Sequence, residues 1–227
     1  MTQRFDVLRA ALVAAAASLG AAGVHAQSAG TLLGRIGATQ IAPDVSSGDL
    51  TPPSLPGTQA GVRSDTQPSA GLTWMLSDHI ALDLPLAAGF KFDLVGAGAI
   101  DGVGKIGEVR ALPLTLLVQY RLLSPDAPLR PYVGFGPTYA RFYKARSTAV
   151  LSALTGGLPS NPTTLSVQSK WAYTAQIGAS WAFAPRWYLD AAVMKTALKT
   201  RTTLSTGQTL DIKLDPWSYA LGVAYRF

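Results

Sequence analysis

The last eleven residues, WSYALGVAYRF, put Trp217, Tyr219, Leu221, Val223, Tyr225 and Phe227 on one face of an extended chain and Ser218, Ala220, Gly222, Ala224 and Arg226 on the other. Successive side chains of a strand point to opposite faces, so one side of this segment is bulky and apolar while the other is small or polar. A strand of a transmembrane barrel needs that division, with lipid outside and a crowded lumen inside. A half-buried strand of a soluble sheet alternates as well, so the rest of the chain has to separate the two cases.

At the other terminus, Arg4 and Arg9 precede an apolar run over residues 10–22, and Val24-His25-Ala26 offers a small-residue cleavage site before Gln27. This is the layout of a secretory leader. Residues 1–26 are expected to be removed, leaving one domain over residues 27–227. An uncleaved anchor is the alternative, but the run is short for a bilayer helix and rich in alanine. Beyond it no apolar run reaches the length of a spanning helix, although mean hydropathy is positive. A membrane location would therefore be reached through strands. The chain has no cysteine, so sheet hydrogen bonds and packing must supply the stability that disulfides give many exported domains.

Eight alternating segments follow, at residues 31–41, 67–76, 80–92, 110–122, 130–142, 169–183, 187–200 and 212–227. Their connections alternate between long (42–66, 93–109, 143–168, 201–211) and short (77–79, 123–129, 184–186). Outer-membrane barrels place long loops outside and tight turns in the periplasm. The expected fold is all-β: an eight-stranded antiparallel up-and-down transmembrane β-barrel with both termini periplasmic. In the third segment Ile80, Leu82, Leu84, Leu86, Ala88, Phe90 and Phe92 are assigned outward, and Ala81, Asp83, Pro85, Ala87, Gly89 and Lys91 inward. In the fourth, Pro113, Thr115, Leu117, Gln119 and Arg121 point inward. Trp74, Trp181 and Trp187 fall near the short-turn ends of their strands and Trp171 and Trp217 near the long-loop ends, which with Tyr225 and Phe227 is the expected placement of interfacial aromatic girdles.

An eight-stranded barrel has room inside for side chains or one small ligand. Inward Asp83, Gln119, Arg121, Asp190 and Arg226 are expected to form a polar plug, because charges in such a lumen must be paired or hydrated. Pro85 and Pro113 remove ladder donors from two strands; with Gly89 they mark a candidate side opening, the alternative being prolines tolerated without one. Residues 149–154 are mildly apolar and suit a short helix at the outer mouth. The 19 Lys and Arg outnumber the 13 Asp and Glu, yet they are scattered over strand ends and loops, which argues against nucleic acid and suits either solvent or anionic headgroups. His79, the one histidine after the leader, lies in a predicted turn. It offers no triad, and without cysteine there is no conventional zinc site. No cofactor and no enzymatic activity are expected.

Residues 210–227, LDIKLDPWSYALGVAYRF, resemble the C-terminal end of the outer membrane protein W (OmpW) family, which closes its barrel with Asp-Pro-Trp and an alternating strand ending in Tyr-Arg-Phe or Tyr-Lys-Phe. LPLTLLVQY at 112–120, RPYVGFGPTYARF at 130–142 and SDHIALDL at 77–84 resemble further family motifs in family order. The GFKF at 89–92 departs from the family's Pro-Phe-Lys-His type sequence, which puts ligand range in question. The resemblance implies a narrow barrel in the outer membrane of a Gram-negative bacterium, aiding passage of small hydrophobic molecules and releasing them sideways into the bilayer. The alternative is a closed structural or receptor barrel working through its loops. Implied partners are outer-membrane lipids and lipopolysaccharide, small hydrophobic solutes, and the barrel-assembly machinery acting on the C-terminal strand. Intact-mass measurement of the exported protein is expected to give a chain beginning at Gln27; a mass retaining residues 1–26 would replace the leader with an anchor.

Overall fold

The computed structural model describes residues 27–158 and 160–227; the expected leader over residues 1–26 lies outside them. The first barrel stave is β1 (Leu32–Ala42), and two short segments follow, β2 (Ser46–Ser47) and β3 (Thr58–Val62). The second stave is β4 (Asp65–Met75), the third β5 (Ile80–Ala87) continued by β6 (Phe90–Gly98), and the fourth β7 (Lys105–Thr115) continued by β8 (Leu117–Arg121). The fifth, β9 (Leu129–Ser147), leads through a helix, α1 (Ala149–Leu154), and β10 (Leu165–Val167) to the sixth, β11 (Lys170–Ala184). The seventh is β12 (Trp187–Ala197) with β13 (Lys199–Leu204), and the eighth β14 (Thr209–Lys213) with β15 (Trp217–Arg226).

Neighbouring staves pair antiparallel, and the ladder from Leu33↔Arg226 to Ala42↔Trp217 joins the last stave to the first. The eight-stranded barrel is closed. Closure leaves the eight staves without a first and last edge strand, which is how a sheet satisfies its backbone in hydrocarbon. The outer face is strongly apolar: Ile36 and Trp171 are each 72% exposed, and Phe135, Ile177 and Leu221 stand out beside them. A soluble monomer does not carry an encircling patch of that kind.

The long connections are more ordered than their sequence suggests. Most of residues 93–109 extends the sheet as β6 and β7, β3 adds to β6, β13 pairs with β14, and β2 and β10 flank that hairpin. This collar closes around an apolar cluster that includes Phe90, Phe92, Leu94, Ile106, Leu151 and Ile212. Burying each such side chain contributes about 1.5–3 kcal/mol, enough in aggregate to hold strands well beyond the apolar belt. The helix occupies the expected residues 149–154; Thr148 Oγ1 caps it by accepting the Leu151 N–H at 3.4 Å, and Leu151 turns into the cluster.

One assignment is overturned. Ala81 and Asp83 point inward as expected, but Phe90 and Phe92 are buried inside while Lys91 is exposed. The cause is a change of register. Asp83 pairs with Leu117 and the next pair up is Phe90↔Ala111, so residues 84–89 stand across from residues 112–116, six against five. One extra residue reverses every side chain above it, and the reversal carries two phenyl rings into the lumen.

Gly136 marks the tightest approach in the neighbouring ladder. A Cβ there would collide with the Leu116 carbonyl oxygen, where the fourth stave passes from β7 to β8. Gly136→Ala is expected to lower unfolding stability by about 1–3 kcal/mol, the usual cost of overpacking, measured as an earlier urea midpoint; an unchanged midpoint would show that the staves move apart freely.

Candidate permeation pathway

The lumen is floored by charge. Arg35 on β1 reaches Asp190 on β12 at 2.9 Å and Asp83 on β5 at 3.5 Å, and both carboxylates are almost fully buried. Thr73 Oγ1 donates to Asp83 at 2.6 Å, while Tyr132 Oη and Ser180 Oγ donate to the two oxygens of Asp190 at 3.0 and 2.6 Å. Arg121 donates to Gln27 Oε1 at 2.7 Å, Ser180 Oγ at 3.1 Å and Gln119 Oε1 at 3.1 Å, and its guanidinium carbon lies 4.8 Å from the centre of the Tyr132 ring. Gln119 Nε2 donates onward to Gln176 Oε1 at 2.8 Å. Arg130 closes the turn end by donating to the carbonyls of Gln27 and Asp78 at 2.7 and 2.6 Å. Side chains from staves one to seven are thereby tied into one network.

Above the floor runs a belt of hydroxyls. Thr115, Thr138, Thr174 and Thr196, on four successive staves, are linked Oγ1 to Oγ1 at 2.8, 2.6 and 2.8 Å. Higher still the walls turn apolar, and a cavity of about 120 Å³ opens, lined by side chains such as Phe90, Phe92, Val109, Phe142, Met194 and Leu214. Its lower end touches Arg35 and Gln176. A smaller apolar space under Leu151 shares Leu94, Thr202 and Ile212 with it, so apolar lining continues into the collar.

The cavity also meets both banks of the interrupted seam. Pro85, Leu86 and Ala87 on one side and Pro113 and Thr115 on the other line it, and across that seam residues 84–89 and 112–116 have no ladder partners. Each bank stays paired on its other side, to β4 and to β9 respectively. Gly89 lies at the upper end, where the Tyr143 hydroxyl fills the space a Cβ would need.

The OmpW family model matches residues 28–227, nearly all of the described chain. The chain belongs to the OmpW family. Outer membrane protein W of Vibrio cholerae is 26% identical over 219 residues, covering 95% of this chain and 97% of that protein. Outer membrane protein AlkL of Ectopseudomonas oleovorans is 26% identical over 177 residues, 77% of this chain and 71% of that one. The crystal structure of OprG from Pseudomonas aeruginosa superposes with a TM-score of 0.80 at 27% identity, covering 89% of this chain and 98% of that chain. This OmpW-family protein is a bacterial outer-membrane barrel.

Of the five residues expected in the plug of this OmpW-family barrel, Asp83, Gln119, Arg121 and Asp190 are drawn together. Arg226 points the same way from β15 but sits opposite Leu33, one inward position below the level at which Arg35 faces Ala224. The cation at the centre, Arg35, was not among the expected residues; it is the only charged residue of segment 31–41, and two inward carboxylates called for one. Gln27, Arg130 and Tyr132 were missed as well. His79 is engaged structurally, its Nδ1 2.9 Å from the Arg121 carbonyl and its ring against Tyr120 at 5.7 Å. All five tryptophans are exposed on the outer wall; Trp187 meets Tyr225 edge-on at 4.9 Å, Tyr225 meets Phe227 at 5.1 Å, and Trp171 meets Tyr139 at 5.1 Å.

Removing one partner of a buried ion pair leaves an uncompensated charge, at a cost of about 3–5 kcal/mol. Arg35→Met should therefore refold poorly or unfold at much lower urea, and adding Asp83→Asn and Asp190→Asn should recover most of the loss. A single variant as stable as the parent would show that water, not Arg35, balances the carboxylates.

Proposed function

We propose that the protein is a conduit for small hydrophobic molecules, which enter from the long-loop end, pass the apolar chamber and leave sideways into the bilayer through the seam between the third and fourth staves. The observation that carries this reading is an apolar cavity bounded below by an ion-paired floor and meeting the two unpaired banks at its side. An apolar solute crossing the floor would have to displace Arg35 and its carboxylates from one another, which is costly in a low-dielectric lumen. Leaving through the seam exposes only backbone.

Proline reduces even that cost. An unpaired amide in hydrocarbon costs several kcal/mol, and Pro85 and Pro113 remove a donor from each bank. The same reading puts the long loops outside and both termini in the periplasm, the usual arrangement for such barrels. It seats the tryptophans, Tyr225 and Phe227 at the two interfaces and has the assembly machinery engage the C-terminal strand. It gives the chain no catalytic role, consistent with His79 being committed to the Arg121 carbonyl.

Entry of a neutral apolar fluorophore into vesicles carrying the refolded protein tests the reading, with a charged analogue and protein-free vesicles alongside. The apolar probe alone should enter faster, and Pro85→Thr/Pro113→Thr, which restores donors on both banks, should slow it. Acceleration of both probes would mean a water-filled pore. Acceleration of neither would favour a closed barrel acting through its loops.

A further inference from the structure

Above the seam the outer wall carries a cluster of cations that the pathway does not use. Phe90↔Ala111 is the first ladder pair over the opening and Lys91↔Arg110 is the next. On the far side of the fourth stave Arg110 faces Tyr143, Leu112 faces Arg141 and Glu108 faces Arg146. Directly opposed residues share a face of the sheet, so Lys91, Arg110, Arg141 and Arg146 occupy one patch over three adjacent staves, and all four are exposed.

Nearby acids balance only Lys91 among the four, and Asp65 accepts from the Lys91 N–H and from Gln67 Nε2, both at 2.7 Å. Glu108 is taken by Lys105 at 2.9 Å and Lys91 at 3.2 Å, and Asp93 by Lys105 at 2.6 Å. Among the described residues Arg110, Arg141 and Arg146 have no carboxylate within ion-pair distance. Like charges directly opposite one another, as Lys91 and Arg110 are, destabilise a sheet. An external anion would offset that repulsion, and a planar guanidinium matches phosphate in a bidentate fork. Leu114 and Leu116, exposed on the same stave below Leu112, place the patch at the upper border of the apolar belt, the height of lipid headgroups.

We propose that this patch is a binding site for the phosphates of the outer-leaflet glycolipid, lipopolysaccharide, held by Arg110, Arg141 and Arg146 at the upper lip of the lateral opening. The assignment to the outer leaflet rests on the orientation proposed above, with the long loops outside. The acyl chains of a lipid held there would lie along Leu112, Leu114 and Leu116, beside the seam.

The test is made on the purified full-length mature protein in non-ionic detergent, where neither sidedness nor transport enters, so a failed conduit reading leaves it untouched. Native mass spectrometry would count bound bis-phosphorylated lipid A, the same lipid stripped of phosphate, and phosphatidylglycerol. Lipid A should bind the parent selectively, and Arg110→Gln/Arg141→Gln/Arg146→Gln should weaken it on the order of 100-fold, with Arg141→Gln alone giving about five-fold. The variant Lys199→Gln/Arg201→Gln/Lys213→Gln, which removes the same charge across the barrel, should leave binding unchanged; heat-modified gel mobility confirms folding of each. Equal loss in both triple variants, equal binding of the dephosphorylated lipid, or preference for phosphatidylglycerol would overturn the proposal.

Discussion

No water reaches the hydrocarbon to satisfy an idle amide, and the whole structure is arranged around that constraint. Neighbouring staves pair along their lengths and the eighth stave closes on the first. The ladder between the third and fourth staves breaks over residues 84–89 and 112–116, a stretch that contains Pro85 and Pro113, each lacking an N–H, so the break falls where hydrogen-bonding demand is reduced. The extra residue in that stretch then decides which side chains fill the lumen above it, because Phe90 and Phe92 enter only through the reversed phase.

Polarity inside the barrel changes in layers for a related reason. Asp83 and Asp190 are tolerable at the bottom because Arg35 lies between them and the hydroxyls of Thr73, Tyr132 and Ser180 donate to them. The threonine belt needs no charge, since each hydroxyl can donate to one neighbour and accept from another. Above it the collar is held by apolar burial, so its strands continue past the belt of exposed apolar residues instead of dissolving into loops. The resulting chamber is apolar, polar-floored and bordered by the unpaired stretch between the third and fourth staves.

Much of this is legible in the sequence. Period-two alternation gave the inward phase of Asp83, Gln119, Arg121 and Asp190, because a strand offers only two faces. Arg35 escaped because its segment mixes small and large residues on both faces, Gly34, Ile36 and Ala38 on one and Leu33, Gly37 and Ile41 on the other. Contrast between the faces is then too weak to set a phase. Lys91 was assigned inward by extending a clean alternation through Ala88 and Gly89, where the register change leaves no mark in residue type. The collar strands are not legible in the sequence, because glycines and polar residues at 96–104 and 205–208 look like long irregular connections, whereas they form the tips of hairpins.

By itself the sequence determined the class of fold, the number of staves, the alternation of long and short connections, and the presence of inward charge, since each of these follows from local periodicity and turn chemistry. Only the tertiary structure decided that Pro85 and Pro113 stand on opposite banks of the same seam, that Arg35 joins two carboxylates from distant staves, and that Lys91, Arg110 and Arg141 share a face. Those are relations between strands, set by register, and a shift of one residue in register leaves every local pattern intact while changing every neighbour.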